Sequence, residues 1–329
     1  MAVKIIQIYR KLPFLLNQNI TGLNYKLNYD LLVITGPTAV GKTSLAVAVA
    51  GLLNGEIISA DSRQVYKGMN IGTGKDLGDY FSSGKKIPCH LIDIVDPGYK
   101  YNLFEYQRDF LNVYRNLKER AVFPVVCGGS GMYVDSIVSA YSITEVAPDD
   151  QLRKELEEKS MEELMALFMS YRNPHNLTDF DTKKRLIRAI EIEQYSSEHK
   201  KSVPDTPGMK SLVVGVTIDR DVRRRRITER LYQRLEEGMV REVEQLIESG
   251  VPTETLLYYG LEYKFITLYL TGHLPYDEMV RQLEIAIHQF AKRQMTWFRG
   301  MERKGVKIHW IDAELPMNEK LDIILQLLT

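Results

Sequence analysis

Gly36-Pro37-Thr38-Ala39-Val40-Gly41-Lys42-Thr43 is the stretch of the sequence that decides the fold. It follows a short apolar run at 31–35 and precedes a segment rich in Ala, Val and Leu, so a strand, a loop and a helix are expected in that order. Glycines at this spacing let backbone N–H groups converge on phosphate oxygens at a helix N-terminus. Lys42 adds a mobile positive charge, and the Thr43 hydroxyl can bind Mg²⁺. The sequence therefore predicts a phosphate site, and the alternative is a glycine-rich turn that binds nothing.

Five further apolar runs are rich in β-branched residues and are bounded by Gly, Pro or charged residues. They lie at 56–60, 90–95, 124–127, 212–218 and 306–311. Amphipathic stretches at 103–120 and 221–248 fall between them and predict helices. Buried strands that alternate with helices form right-handed crossovers and a mostly parallel sheet with helices on both faces. We expect an α/β fold with a P-loop NTPase-like core.

The strand signals stop between 141 and 208, where the chain becomes rich in Glu and Lys and is interrupted by prolines. This composition predicts a helical segment. Because strand signals resume afterwards, the segment interrupts the core instead of following it. We therefore expect an N-terminal extension at 1–30, a core formed by 31–140 and 209–329, and an all-helical insertion domain at 141–208.

The composition is that of an ordinary globular protein, with 44% hydrophobic and 26% charged residues, which excludes a mainly disordered chain. Lys plus Arg and Asp plus Glu both number 43, so attraction for nucleic acid must come from local clusters. The two cysteines, Cys89 and Cys127, show no CxxC pattern, which argues against a disulfide framework or a zinc site. With no targeting signal and no long apolar run, we expect a cytoplasmic protein without a membrane span, and a monomer.

A second loop follows the predicted strand at 56–60 and begins with Asp61 and Ser62. Ligands in open α/β sheets bind at the carboxyl edge of the strands, so Asp61 is expected beside the phosphate loop. Asp61 can act as a general base there, or it can cap the short helical turn that follows it. The phosphate loop alone does not identify the ligand, since kinases, NTPases and other transferases share it.

Five motifs in order resemble the bacterial tRNA dimethylallyltransferases, also called tRNA isopentenyltransferases, over about 31–312. They are GPTAVGKT at 36–43, ADSRQVYKGMNIGTGK at 60–75, CGGSGMY at 127–133, KRLIRAIEI at 184–192 and AKRQMTWFRG at 291–300. The resemblance implies transfer of the dimethylallyl group of dimethylallyl diphosphate to the exocyclic amine of the adenosine next to the anticodon. Diphosphate is released, and the implied cofactor is Mg²⁺.

The resemblance also implies how the donor is held. The diphosphate of the donor takes the place of a nucleotide in the phosphate loop, with Mg²⁺ on Thr43. Four arginines at spacings of 3, 4 and 4 form one stripe of a predicted helix, and two of them, Arg226 and Arg230, match the family's RIxxR pattern. Arg223 and Arg234 can instead belong to a solvated basic face. The implied catalytic residues are Asp61, Thr43 and Arg226, and the implied donor-binding residues are Gly36, Pro37, Thr38, Ala39, Val40, Gly41, Lys42, Thr43, Arg226 and Arg230.

The tRNA is expected to bind through basic and aromatic side chains from several motifs, with the target adenosine flipped out of the stack. The implied set is Asp61, Ser62, Arg63, Gln64, Ser130, Arg153, Lys184, Arg185, Arg188, Lys292, Arg293, Trp297 and Arg299. Ser130 can also cap the helix that it precedes, and Trp297 can pack in the core. Asp93, Asp96 and His90 are expected to be structural.

The sequence departs from the family's pattern in two places. Residues 260–263 read Gly-Leu-Glu-Tyr, where a basic residue is usual at the third position. Residues 287–290 read Ile-His-Gln-Phe, where Thr-Arg-x-Tyr is usual. We expect these changes to affect the grip on the anticodon stem-loop. Two other functions stay open, namely a prenyltransferase for free adenine nucleotides and an RNA-binding protein with an impaired active site.

Overall fold

The computed structural model describes residues 27–75, 77–82, 84–139, 145–171, 182–198 and 208–329. Most of the predicted N-terminal extension, up to residue 26, lies outside the described residues. Parts of the predicted insertion, at 141–144, 172–181 and 199–207, lie outside them as well.

The centre of the molecule is a six-stranded sheet in which every pair of neighbouring strands is parallel. Its strands are β1 (Leu31–Thr35), β2 (Glu56–Ser59), β5 (Cys89–His90), β6 (Pro124–Cys127), β7 (Ser211–Thr217) and β8 (Ile308–Asp312), and the order is β5-β2-β6-β1-β7-β8. A small antiparallel hairpin is formed by β3 (Phe81–Ser82) and β4 (Lys85–Lys86). The loop that follows β1 leaves the middle of the sheet, where the neighbouring strands β6 and β7 flank it.

Helices cover both faces of this sheet. The helices in the described part of the chain are α1 (Lys42–Leu53), α2 (Leu103–Glu119), α3 (Gly131–Val138), α4 (Asp150–Glu157), α5 (Met161–Tyr171), α6 (Lys183–Glu198), α7 (Arg220–Glu236), α8 (Met239–Glu248), α9 (Thr253–Tyr258), α10 (Leu261–Leu270), α11 (Tyr276–Arg303) and α12 (Met317–Leu328). Alternate residues of β1 enter different cores, since Leu31 and Val33 pack in one apolar layer and Leu32 and Ile34 pack in the other. The predicted α/β class is confirmed.

Two elements differ from the sequence-based expectation. The strand predicted at 90–95 ends at His90, because Leu91 and Asp93 adopt left-handed backbone conformations, with φ of 61° and 54°, that break the ladder. The helix predicted at 221–248 is two helices, because Gly238 has a φ of 99° and begins α8 after a turn.

Helices α4, α5 and α6 bury apolar side chains against one another in a cluster separate from the two layers on the sheet. The buried members of this cluster are Leu156, Leu164, Phe168, Leu186, Ile187 and Ile190. The helical character expected for this segment is therefore observed in its described residues, and its assignment as an inserted domain stays a prediction.

Within the described ranges, no helix combines the length and the apolar character needed to cross a bilayer.

Candidate active site

A cavity of about 840 Å³ opens at the carboxyl edge of the sheet. The loops that follow β1, β2 and β6 form its floor, and side chains from α7, α10 and α11 form its walls. The parallel arrangement explains this meeting point, because the carboxyl ends of parallel strands lie on one edge. The cavity therefore unites the phosphate loop, the Asp61 loop and the glycine-rich loop at 128–131.

The phosphate loop is shaped by backbone conformations that favour glycine. Gly36 has a φ of 140°, and a Cβ there would lie 2.3 Å from the Val216 carbonyl oxygen of the neighbouring strand. Gly41 has a φ of 80° and begins α1 without a side-chain cap. The first-turn N–H groups of α1 thus stay available to an anion at the helix N-terminus. This geometry fits the predicted phosphate site.

Lys42 lies in the first turn of α1 and lines the cavity. Its Nζ donates a hydrogen bond to the carbonyl oxygen of Pro37 at 2.6 Å. Burial lowers the pKa of Lys42 to about 8, although Cys127 and Asp61 act in the opposite direction. The ammonium is therefore still charged at neutral pH, and a bound anion would raise its pKa again.

Gln294 ties the phosphate loop to the glycine-rich loop. This buried residue of α11 accepts a hydrogen bond from the Thr38 N–H at 3.0 Å and donates one to the Gly129 carbonyl oxygen at 2.8 Å. Sequence reasoning missed this role, since the surrounding motif was assigned to RNA. Its signal is a polar residue on the buried face of α11, between Ala291 and Phe298.

The Asp61 carboxylate faces the cavity with one oxygen committed to the backbone. Its Oδ1 accepts a hydrogen bond from the Arg63 N–H at 2.9 Å, which forms the local turn expected as the alternative role. No donor among the described residues reaches Oδ2. Capping of the turn and a proton-accepting role are thus compatible, because each uses a different oxygen.

Ser130 holds the Asp61 loop in place. Its hydroxyl makes no cap on α3, so that alternative is wrong. It accepts a hydrogen bond from the Ser62 N–H at 2.9 Å and lies 3.2 Å from the Ser62 hydroxyl. The glycine-rich loop and the Asp61 loop are therefore joined side by side.

The four arginines of the predicted stripe on α7 differ in which cavities they line. Arg230 and Arg234 line the main cavity, and a Cβ at Gly74 would lie only 1.9 Å from the Nη2 atom of Arg234. Arg226 lines a smaller cavity of about 460 Å³, which reaches the phosphate loop at Ala39 and also contains Arg230 and Arg234. Arg223 lines neither cavity. The structure thus brings Arg234, which could have been a solvated charge, to the cavity wall, and the catalytic role of Arg226 stays a prediction.

A buried carboxylate organises the turn at 70–74, which carries Gly74 to the cavity. Glu242 of α8 accepts hydrogen bonds from the N–H groups of Asn70, Ile71 and Gly72 at 2.8, 2.7 and 3.0 Å. It also accepts one from the Tyr263 hydroxyl at 2.6 Å. Sequence reasoning missed Glu242, because it lies on a helix far from every motif.

Aromatic side chains form much of the remaining wall. Tyr133 is 5% exposed and stacks on Tyr106 with ring centroids 3.8 Å apart. Trp297 is half-buried with its ring against Gly131, where a Cβ would lie 2.5 Å from the indole. The expected alternative of core packing thus applies to Trp297 in part, since the same ring also lines the cavity.

The residues expected to contact tRNA separate into three groups. Ser62, Arg63, Gln64, Arg293 and Trp297 line the cavity together with Asp61 and Ser130. Lys292 and Arg299 are exposed on α11 and lie outside its lining. Arg153, Lys184, Arg185 and Arg188 belong to helices α4 and α6, which contribute no residue to the cavity.

Two of the four insertion residues are held by a buried acid. Glu191 accepts hydrogen bonds from Arg153 at 2.9 Å, from Arg188 and from the Asp149 N–H at 2.6 Å. Burial acts to raise the pKa of Glu191, but these bonds outweigh it and the pKa lies below its ordinary value. Arg153 therefore links α4 to α6, whereas Arg188 pairs within α6 and donates a hydrogen bond to the Val146 carbonyl oxygen at 2.7 Å.

Each of the three residues expected to be structural pairs with a side chain of opposite charge or with a hydrogen-bond partner. Asp93 pairs with the buried Lys75, and Asp96 lies 3.0 Å from Lys67. His90 contacts Glu56, with 2.7 Å between Nε2 and Oε2. Hydrogen bonds from Arg120 and His90 lower the pKa of Glu56 to about 2, against the effect of burial.

The structure also shows where the two segments that depart from the family's pattern, 260–263 and 287–290, lie. Glu262 lines the cavity, and burial raises the pKa of its carboxyl above the ordinary value. His288 packs at the interface between α7 and α11, where Nε2 lies 3.6 Å from the Glu284 carboxylate and 3.4 Å from the Thr228 hydroxyl. The first departure thus changes the cavity wall, and the second changes both a helix contact at His288 and the cavity wall, which Ile287 and Phe290 line.

The oxygen donors in the cavity suit a small divalent cation. The Thr43 hydroxyl lies in the first turn of α1, and the Asp61 carboxylate faces the same cavity. Mg²⁺ takes few protein oxygens and completes its shell with water and substrate phosphates. No group of three or more His, Cys, Asp or Glu that could hold a metal occurs in the described part of the chain. The residues present therefore fit an ion that is shared with a bound diphosphate.

Comparisons with known proteins give consistent matches. The family model described as IPP transferase matches residues 64–301, and a second model, isopentenyl transferase, matches residues 29–93. The chain is 57% identical over 299 residues to tRNA dimethylallyltransferase 2 of Bacteroides fragilis, a match that covers 91% of this chain and 98% of the relative. It is 50% identical over 299 residues to tRNA dimethylallyltransferase 1 of Geotalea daltonii, covering 90% and 95% of the two chains.

Solved structures show the same fold. The tRNA isopentenylpyrophosphate transferase of Bacillus halodurans superposes with a TM-score of 0.66 at 30% identity, over 91% of this chain and 95% of that one. A eukaryotic dimethylallyltransferase acting on tRNA superposes with a TM-score of 0.68 at 23% identity, over 86% of this chain and 73% of that one.

Proposed function

The chain belongs to the IPP transferase family and is a tRNA-prenylating enzyme, and from this premise we propose how its cavity performs the transfer. Dimethylallyl diphosphate donates its five-carbon group to the exocyclic amine of the adenosine next to the anticodon. The donor's diphosphate lies on the phosphate loop, where Lys42 and the N-terminus of α1 offer positive charge.

Asp61 acts as the general base in this proposal. The amine nitrogen attacks the first carbon of the donor, the carbon–oxygen bond breaks, and its electron pair leaves with the diphosphate. The amine loses a proton as the new carbon–nitrogen bond forms, and Oδ2 of Asp61 accepts it. A base is needed because the lone pair of an exocyclic adenine amine is delocalised into the ring and makes it a weak nucleophile.

The departing diphosphate gains negative charge in the transition state. Lys42 and Arg230 line the cavity beside the phosphate loop, and Arg226 lines the smaller cavity together with Ala39 and Gly41 of that loop. Positive groups placed before the reaction stabilise that charge more than they stabilise the bound donor. Thr43 would hold Mg²⁺ together with the diphosphate, where the bound ion supplies further charge neutralisation.

The tRNA reaches the cavity by flipping out its target adenosine. Arg63, Gln64 and Arg293 contact the nucleotides around that base, and the insertion with Lys184 and Arg185 contacts the anticodon stem. The enzyme acts in the cytoplasm, where its tRNA substrates are, and as a monomer.

One observation carries the proposal. Within a single cavity, the Asp61 carboxylate presents an oxygen that accepts no hydrogen bond from the described residues, beside a phosphate loop with a charged lysine. An RNA-binding protein needs neither feature. A prenyltransferase for free nucleotides would need both, but it would have no use for the exposed basic side chains of α11, Lys292, Arg293 and Arg299.

The test is incubation with dimethylallyl diphosphate, Mg²⁺ and bulk tRNA, followed by mass analysis of the nucleosides. We expect dimethylallyl adenosine, and Asp61→Asn should lower single-turnover rates by about 10² or more while donor and tRNA still bind. Asp96→Asn is the matched control, because that carboxylate is exposed and its ion pair among the described residues is with Lys67. Prenylation of free AMP but not of tRNA would support the alternative substrate. Binding of tRNA without any prenylated product would refute enzymatic activity.

A further inference from the structure

Two large aromatic rings stand open at the rim of the cavity. Tyr258, the last residue of α9, is 53% exposed, and Phe290 of α11 is 39% exposed. Both rings line the cavity, and they differ in exposure from neighbouring aromatic residues such as Tyr133 and Tyr259, which are buried. An exposed aromatic ring at the mouth of a binding cavity offers a large apolar face to a ligand.

Each of these rings is paired with an arginine that also lines the cavity. The guanidinium carbon of Arg63 lies 5.6 Å from the ring centroid of Tyr258, and that of Arg293 lies 6.0 Å from the ring centroid of Phe290. These are cation–π distances. Each pair therefore combines a flat apolar face with a fixed positive charge.

We propose that the Tyr258–Arg63 pair and the Phe290–Arg293 pair are two stacking platforms for the unpaired nucleobases that flank the target adenosine. The inference rests on the proposed function and names the part of the tRNA that this rim holds. Unpaired bases in RNA loops are recognised by stacking on aromatic rings and guanidinium planes. The arginines complement the phosphates that connect these bases, as do the exposed Lys292 and Arg299 on the same helix.

The exposure of the rings argues against the donor as their occupant. A dimethylallyl chain gains from burial, and rings that are 53% and 39% exposed cannot enclose it. Buried rings deeper in the cavity, such as Tyr133, can do so. A nucleobase needs only one covered face, since its edges stay in water.

The test uses an anticodon stem-loop RNA in which each base next to the target adenosine is replaced, one at a time, by fluorescent 2-aminopurine. Stacking quenches this fluorophore, so wild-type protein should quench at least one position on binding. Tyr258→Ala and Phe290→Ala should each restore fluorescence at one position and weaken stem-loop binding by about 5- to 150-fold. The slope of log affinity against log salt should stay unchanged, because no phosphate contact is removed.

Three further variants separate stacking from other effects. Tyr258→Phe should bind like wild type because it keeps the ring, and Tyr258→Leu should bind like the alanine variant while it keeps apolar bulk. Tyr276→Ala is the matched control, since this ring is 43% exposed at the start of α11 and does not line the cavity. Thermal melting identifies any variant that fails to fold. If Tyr258→Ala fails to fold, the comparison of Tyr258→Leu with wild type tests the stacking instead.

The proposed stacking platforms would be refuted if both alanine variants bound the stem-loop within two-fold of wild type and showed unchanged quenching. A weakened affinity for the donor instead of the RNA would refute them as well. Failure of the wild-type protein to prenylate the stem-loop would refute the proposed function itself. That result is read from product mass and is independent of the fluorescence.

Discussion

Replacement of Glu242 by Gln tests whether the turn at 70–74 is held by one buried carboxylate. In the native protein Oε2 accepts from the Asn70 and Ile71 N–H groups, and Oε1 accepts from the Gly72 N–H and the Tyr263 hydroxyl. Gln keeps the size of Glu and loses the charge. Its amide oxygen can replace one carboxylate oxygen, but its NH₂ group then faces a donor.

The size of the effect follows from these four hydrogen bonds. With the amide oxygen toward Asn70 and Ile71, the buried Gly72 N–H loses its acceptor, which costs about 1–3 kcal/mol. The two remaining backbone bonds lose their charge assistance, and the Tyr263 hydroxyl can rotate to accept from the new NH₂. We expect Glu242→Gln to lower the free energy of unfolding by about 2–4 kcal/mol.

Urea unfolding followed by circular dichroism at the helical band measures this loss, and amide hydrogen exchange reports the turn directly. Exchange protection at residues 70–72 should fall even if the turn opens locally before the protein unfolds. Glu244→Gln is the control, because Glu244 is exposed on the same helix and its pair with Arg241 is worth less than about 1 kcal/mol.

Enzymatic activity should also fall when the turn at 70–74 is destabilised in Glu242→Gln. Gly74 ends this turn, its carbonyl oxygen accepts from the Gln64 side chain at 3.2 Å, and its backbone lies against Arg234. We therefore expect a lower kcat/KM in Glu242→Gln under conditions where the protein stays folded. Unchanged unfolding energy together with unchanged protection at 70–72 would refute the reasoning.

Two further predictions concern the donor site. Since burial lowers the pKa of Lys42 to about 8 and a bound diphosphate must raise it, donor affinity should be greatest below pH 8 and fall as pH rises through that value, with proton uptake seen by calorimetry. Equal affinity at pH 7 and pH 9.5 would contradict this. Gly74→Ala should lower donor affinity about tenfold, because its Cβ would displace Arg234, whereas Gly84→Ala, with a similar positive φ and open space, should cost only stability. Equal donor affinity in the two variants would show that the contact with Arg234 is unimportant.

Local patterns in the sequence were sufficient for the class of fold and for the centre of the site. Glycine spacing, the apolar run before it and the helix after it define the phosphate loop within a single stretch, since each is a property of neighbouring residues. The parallel arrangement then brings Asp61 to the same edge of the sheet, as expected. The break after His90 was missed because Leu91 adopts a left-handed conformation that its type does not favour.

Only the tertiary structure decided which distant residues complete the site. Gln294 contacts Thr38 across 256 residues, and Glu242 contacts Asn70 across 172. The pairing of Arg63 with Tyr258 likewise depends on how α9 packs beside the Asp61 loop. Such contacts are set by crossovers and by the packing of helices on the sheet, and periodicity within a segment contains no information about its partner. The sequence by itself determined the position of the phosphate loop and which carboxylate lies beside it, and packing determined which residues hold the loops and shape the rim of the cavity.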